Sequence, residues 1–346
     1  MGLMDLKNNF RKNIYFGVNL ALEFLPSFLK APLLAGLAIL PVHKRLPSFI
    51  MIEPTNTCNI HCPLCPVGSN VMKRKKGFMD LENYKGLIDE VSVFVKEIVM
   101  NFAGETLLHP QTGEMISYAE RKGVSVTIGT NGTIDKMEEV VKAGTSEVLF
   151  ALDGLTENTY SKYRRGADLK TVKENLRKLT EAKRKFGSDK PNIVLQFVVM
   201  KDNEHEIDGI MELGREYGVD EVAYTPVIIN DFFSTDKSDL VSRYLPENSQ
   251  FRQYKRAGNR ILERKPTLCV WVFQSVVLFN GDVSMCCFDF DGNYTPGNAF
   301  EEGGFLGVWN SRAYRKFRVN IIRRKFDLCN QCDLSFIKPF RFKTRL

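Results

Sequence analysis

The sequence predicts an α/β protein, a partial (β/α)6 barrel followed by a small C-terminal domain that contains a β-hairpin. Three observations predict it. Between residues 48 and 226, six short β-rich runs alternate with helical stretches, the rhythm of βαβ units and a parallel sheet. Beyond that region, Asn280-Gly281-Asp282 separates two β-rich runs, a strong two-residue hairpin signal. The eight cysteines fall into two groups, three near residue 60 and five beyond residue 268, which points to two separate sites.

In chain order the barrel pattern reads SFIMIE (48–53), helix Leu81–Val95, EIVMNF (97–102), helix Thr112–Lys122, VSVTIGT (124–130) and helix Lys136–Lys142. It continues with EVLFALD (147–153), helix Lys170–Lys185, NIVLQFVVM (192–200), helix Ile207–Tyr217 and EVAYTP (221–226). In such barrels the chemistry sits on loops after the carboxyl ends of the strands, where the first cysteine group falls. Asp, Ser, Pro and Asn then accumulate over Ile229–Gln250, and a basic, helix-like stretch runs to Arg264. The expected division is an arm at 1–46, the barrel at 47–228, a linker and helix at 229–264, and the C-terminal domain at 265–346.

The 346 residues are 44% apolar and 26% charged, ordinary for a folded globular protein. A net charge of +7 favours an anionic partner without naming one. No zinc-finger spacing or aromatic RNA-binding signature accompanies it, so nucleic acid is not expected as a partner. Without a signal-peptide pattern the cysteines read as metal ligands in a reducing cytosol rather than as a disulfide framework. In the arm, Tyr15–Val42 is mostly apolar, but Glu23, Pro26, Lys30, Pro32 and Pro41 interrupt it, so it is not a membrane span of about 20 apolar residues. Its composition suits a segment lying on the inner face of the membrane, and equally one packed on the barrel.

Cys58, Cys62 and Cys65 follow the first strand in a C-x3-C-x2-C arrangement. Three thiolates can hold three irons of a cubane cluster and leave the fourth open to a small chelating ligand. Zinc, the alternative, usually takes four protein ligands in paired motifs. The spacing resembles the radical S-adenosylmethionine superfamily. In that light Asn101-Phe102-Ala103-Gly104-Glu105-Thr106 resembles the Gly-Gly-Glu motif that holds the cofactor's amino group, with Ala103 and Thr106 as departures. Thr130-Asn131-Gly132 is similar to the family's Thr-Asn-Gly turn, and Ala151-Leu152-Asp153-Gly154 to its Ser-Leu-Asp-Gly, here without the ribose-binding hydroxyl. The resemblance further implies Arg164 or Arg165 for the methionine carboxylate, Val198 beside the adenine, and Asn203 as a polar neighbour. The basic run Lys73–Lys76 reads either as an attractor for a phosphate-bearing substrate or as a solvated loop.

Cys269, Gly281, Cys286, Cys287, Cys329 and Cys332 follow the order C-x11-G-x4-C-C…C-x2-C. This resembles the family's auxiliary-cluster modules, SPASM and the shorter twitch. It implies one fully ligated [4Fe–4S] cluster on Cys269, Cys286, Cys329 and Cys332, with Cys287 as the spare. Taken alone, four cysteines could equally hold zinc.

The resemblance implies two [4Fe–4S] clusters and S-adenosylmethionine as cofactors, with flavodoxin or ferredoxin as electron donor. The reaction would form a 5′-deoxyadenosyl radical that takes hydrogen from a small-molecule substrate. The substrate would then lose an electron to the auxiliary cluster. Asp289 and Asp291 are the candidate bases, although acidic residues in a turn are commonly plain turn formers. The arm and the basic aromatic tail Phe336–Lys343 point to a hydrophobic or lipid-like substrate. A peptide-modifying maturase and a non-catalytic zinc-stabilised binding protein are the alternatives.

Overall fold

A computed structural model describes residues 46–47, 49–229, 237–252, 255–257, 260–262, 269–332 and 342–346. The arm at 1–45 and the tail at 336–341 lie outside the described residues, and with them the membrane and lipid expectations.

Six parallel strands form the barrel: β1 (Phe49–Ile52), β2 (Glu97–Met100), β3 (Ser125–Thr130), β4 (Glu147–Ala151), β5 (Asn192–Val199) and β6 (Glu221–Pro226). They lie side by side in chain order. Along β1 the alternation sends Ile50 and Ile52 to the helix-covered core, while Phe49 and Met51 pack with Trp271, Val276 and Leu278 on the other face.

The covering helices in the barrel are α1 (Leu81–Val91), α2 (Thr112–Arg121), α3 (Met137–Lys142), α4 (Glu157–Tyr163), α5 (Leu169–Lys185) and α6 (Ile207–Tyr217). In α5 the buried Leu169, Val172, Leu176 and Leu179 recur at spacings of three and four, one stripe of a 3.6-residue helix. The Asp168 side chain caps it by accepting from Thr171 N. Helix α1 ends at Val91, four residues before the expected Val95. Helix α4 escaped the sequence pattern because seven residues make barely two turns.

Beyond the barrel lie α7 (Lys237–Tyr244) and two short paired strands, β7 (Lys255–Ala257) and β8 (Arg260–Leu262). The helix expected up to Arg264 is thus an antiparallel pair at these residues. The helical reading of this stretch rests on its charges, which do not distinguish a helix from a short strand pair.

The hairpin strands β9 (Val276–Val277) and β10 (Val283–Ser284) do not stand apart as a separate sheet. Strand β9 pairs parallel with β1 and extends the barrel sheet. At the opposite edge β11 (Phe342–Arg345) pairs antiparallel with β6, giving nine strands. The hairpin turn also differs from the two-residue type. Gly281 N donates to Leu278 O at 2.8 Å and Gly281 has φ +89°, whereas Asn280 does not have positive φ. This is the three-residue turn with glycine in the left-handed position.

Helices α8 (Gly304–Asn310), α9 (Arg312–Ile322) and α10 (Asp327–Gln331) complete the C-terminal part. Glu90 of α1 accepts from Phe305 N and Leu306 N, both at 2.8 Å, so a barrel carboxylate caps α8. The rings of Phe94 and Phe305 stack beside it.

Candidate active site

The loop from Glu53 to Asp80 carries Cys58, Cys62 and Cys65, all free thiols. Cys62 is buried, and burial pushes its thiol up to about 12, with Cys58 and Cys65 close enough to raise it further. Burial raises Cys58 likewise. Deprotonating such thiols needs a cation at their centre, which a metal cluster supplies. Buried Asn56 braces the loop by donating to Lys75 O and accepting from Gly77 N, each at 2.9 Å. This brace was missed, although a polar residue in a Pro-Thr-Asn-Thr turn was a signal for it.

The end of β2 is pressed against this loop. Glu105 N donates to Thr57 O at 2.8 Å. Gly104 has φ +81°, and a Cβ there would lie 2.5 Å from Thr55 O, so only glycine fits. The Glu105 carboxylate is buried and accepts from Leu107 N, Thr130 Oγ1 and Asn131 N at 3.0, 2.9 and 2.7 Å. Burial pushes its pKa up, and those donors pull it back. Asn131 in turn points Nδ2 at Cys58 Sγ, 3.8 Å away, and at Asn59 Oδ1. Helix α5 holds the turn through Asn175 Nδ2, which donates to Gly132 O.

Of the two candidate arginines, Arg164 faces the cysteines. Its Nε donates to Asp153 Oδ2 at 2.6 Å and its Nη1 lies 3.8 Å from Cys62 Sγ. Nη2 makes no hydrogen bond among the described residues. The Arg165 side chain is exposed, and only its backbone reaches the loop, through His61 N. Asp153 is fully buried and also accepts from Val198 N at 2.7 Å. Asn203 lies beneath this pair rather than lining the site, donating to Asp153 O and Val198 O. Val198 packs with Leu64, between two of the cysteines, and with Val227. At Ala151, the strand end offers no hydroxyl.

In the C-terminal part Cys269, Cys286, Cys329 and Cys332 converge, since Cys269 is raised by burial and by each of the other three. Burial also pushes Cys329 up to about 11, with Cys286 adding to it. Cys287 lies beside Cys286 and, like Cys269, packs against Trp271, Val276 and Leu278, but it acts on neither Cys269 nor Cys329. Among the described residues no three His, Cys, Asp or Glu side chains close on a single metal ion. A zinc ion needs donors about 2.0–2.3 Å from one centre, whereas a cubane meets each thiolate at a different iron.

The candidate bases Asp289 and Asp291 have other partners. Asp289 is buried and accepts from Asn293 N, Tyr294 N and Ser284 Oγ, which makes it the brace of its own turn. Asp291 accepts from Lys73 N at 2.6 Å. Arg74 in the basic run is likewise no free anion attractor. It donates bidentately to buried Glu53 and through Nε to Phe290 O.

A model of the radical SAM superfamily matches residues 52–214, and one of an iron–sulfur cluster-binding domain, SPASM, matches 269–333. The chain belongs to the radical S-adenosylmethionine superfamily and is a radical S-adenosylmethionine enzyme. Its C-terminal region is a SPASM domain, and two [4Fe–4S] clusters and S-adenosylmethionine are its cofactors. It is similar to the tungsten-containing aldehyde ferredoxin oxidoreductase cofactor-modifying protein of Pyrococcus furiosus, with 24% identity over 83% of this chain and 87% of that protein. It is 24% identical to the Fe-coproporphyrin III synthase of Methanosarcina barkeri over 89% of this chain and 86% of that one. The fold is similar to that of Streptococcus suis SuiB bound to precursor peptide SuiA, with a TM-score of 0.60, 14% identity, and 82% and 70% of the two chains covered. Among the described residues no helix is long and apolar enough to cross a membrane.

Proposed function

We propose that the chain oxidises a small apolar substrate, with hydrogen abstraction in the barrel at 47–228 and electron transfer to the cluster of the domain at 265–346. The observation that carries this is the shared wall between the two cysteine sites. The auxiliary loop Cys286–Asp291 touches the catalytic loop through Asp291–Lys73 and Phe290–Arg74. Phe290 also stacks on Phe102, next to the Gly104-Glu105 turn, with centroids 5.3 Å apart. A substrate between the two sites would lie against these rings.

Cys58, Cys62 and Cys65 would hold the catalytic cluster, and Cys269, Cys286, Cys329 and Cys332 the auxiliary one. Together the catalytic cluster and S-adenosylmethionine supply one-electron cleavage of the cofactor and, with it, abstraction of a substrate hydrogen. Glu105 would accept from the cofactor's amino group. Arg164, through its Nη2, would take the carboxylate, a charge-assisted contact. Val198 and Leu64 form the apolar side offered to adenine. Phe102 and Phe290 would offer the substrate an apolar wall. In balance, one electron would be supplied at Cys58, Cys62 and Cys65 and one taken up at Cys269, Cys286, Cys329 and Cys332, while the substrate would give up one hydrogen atom and one proton. Since Asp289 and Asp291 have structural partners, that proton has no assigned acceptor among them.

The names of the two curated relatives, a cofactor-modifying protein and an Fe-coproporphyrin III synthase, support a small molecule. The similarity in fold to SuiB, solved with its precursor peptide, favours peptide modification as the second reading. The test is iron content and 5′-deoxyadenosine release of anaerobically reconstituted protein, wild type against the Cys58→Ala/Cys62→Ala/Cys65→Ala variant. About eight irons falling to about four, at four per cubane, with nucleoside release lost, is expected. Iron content unchanged in the variant would refute the ligand assignment.

A further inference from the structure

We infer that Arg164 and Asn131 are hydrogen-bond donors to the thiolates of the catalytic cluster and raise its reduction potential, with Asp153 as the residue that aims Arg164. This rests on Cys58, Cys62 and Cys65 being the ligands. It goes beyond cofactor binding, because it assigns these side chains a role toward the cluster itself.

Two side-chain N–H groups approach two of the three sulfurs. Arg164 Nη1 is 3.8 Å from Cys62 Sγ and Asn131 Nδ2 is 3.8 Å from Cys58 Sγ. No side chain donates to the sulfur of Cys65 among the described residues. Hydrogen bonds to ligating sulfur and nearby positive charge favour the more negative, reduced cluster, so both raise the potential. The surroundings make the charge count. Cys62 is 5% exposed and the Arg164 side chain 14%, so water screens the pair little.

The guanidinium is fixed from several sides. Arg164 directly follows the last residue of helix α4 and caps it, its N donating to Tyr160 O at 2.9 Å. The group lies over the Tyr163 ring, 5.7 Å from its centroid. Asp153 Oδ2 takes Nε, while Asp153 Oδ1 is itself held by Val198 N, and Asn203 clamps the Asp153 carbonyl. Asn131 is tied as firmly, since its Oδ1 accepts from Thr133 N at 2.9 Å. Anchoring a loop alone would not call for such an arrangement, because apolar packing replaces buried ion pairs at little or no cost in stability. A cation held so that Nη1 meets a thiolate while Nη2 stays open for the cofactor's carboxylate accounts for it.

The test is an EPR-monitored redox titration of the full-length, reconstituted protein carrying both clusters. The catalytic cluster is identified as the signal component that changes when S-adenosylmethionine is added and that is absent in the Cys58→Ala/Cys62→Ala/Cys65→Ala variant. Arg164→Gln keeps N–H groups and removes the charge, while Arg164→Lys keeps the charge and loses the planar fork. Both should move the catalytic midpoint to lower potential, Gln further than Lys, with the auxiliary component unmoved. For Arg164→Gln the ratio of reduced to oxidised catalytic cluster at fixed potential should fall roughly tenfold or more. Asn131→Ala should give a smaller shift of the same sign.

An unchanged midpoint in an Arg164 variant with wild-type iron content would overturn the inference. If Arg164→Gln does not hold the catalytic cluster, Arg164→Lys carries the test. If neither holds it while the auxiliary cluster assembles, Arg164 is a scaffold residue and the inference falls. A wild-type signal that persists in the triple cysteine variant would instead refute the ligand assignment.

Discussion

Arg74, nine residues beyond the last cysteine of the catalytic loop, lays its guanidinium on the buried carboxylate of Glu53 at 2.6 and 2.9 Å. The same side chain reaches the Phe290 carbonyl and lies over the Phe279 ring, and Phe279 N donates to Glu53. One ion pair therefore binds the end of β1, the catalytic loop and the SPASM hairpin together. Removing one partner strands the other charge in a buried site, which typically costs about 3–5 kcal/mol. Arg74→Met and Glu53→Leu should each lower the melting temperature by several degrees, and the double variant should recover most of the loss. Single variants that melt like wild type would show that the pair contributes nothing.

Gly104→Ala places a methyl group 2.5 Å from Thr55 O at a positive φ. The loop must shift, and Glu105 with it. Iron content should stay near wild type while 5′-deoxyadenosine release falls at least roughly tenfold, because small displacements of positioning groups have effects of that size. Wild-type release would mean that the turn relaxes without moving Glu105.

The adjacent Cys286 and Cys287 should behave differently. Cys286 converges with Cys269 and Cys329, and its sulfur accepts from Phe288 N at 3.4 Å, whereas Cys287 acts on neither of those two thiols. Cys286→Ala should lose about four irons per chain and Cys287→Ala should keep them. The reverse result would exchange the ligand assignment.

His109 is buried, with Nδ1 accepting from Gln111 N and Nε2 on Met79 O, a pattern that fits the neutral ring. Burial pushes its pKa down, and Lys136 adds to the shift. The unfolded chain then binds more protons below the ordinary histidine value of about 6.5, so stability falls as pH drops through that value and is fully present above it. Melting temperature measured from pH 7.5 to 5 should decline more steeply for wild type than for His109→Gln. Parallel curves would remove His109 as the cause.

Much of this architecture was legible because its signals are local. Strand runs read as such where Val and Ile crowd together, and C-x3-C-x2-C is a spacing of neighbours. What escaped depends on contacts distant in sequence. Arg164 and Arg165 are equal as text, and only the end of α4 turns one toward Cys62 and the other to solvent. Asp289 and Asp291 read as candidate bases or plain turn formers, and their hydrogen bonds to Asn293, Tyr294 and Lys73 are what separates the two. The basic run likewise hid Arg74, whose partner lies 21 residues back.

Both margins of the barrel sheet are completed by segments that come later in the chain, β9 beside β1 and β11 beside β6. During synthesis the six barrel strands emerge from the ribosome first, with the outer backbone groups of β1 and β6 still unpaired. Exposed edges of this kind invite pairing with other chains, so the nascent barrel is vulnerable to aggregation until residues 276–284 and 342–345 arrive. Expression with elongation slowed between the codons for β6 and β11 should therefore yield less soluble protein than the same slowing placed before β1.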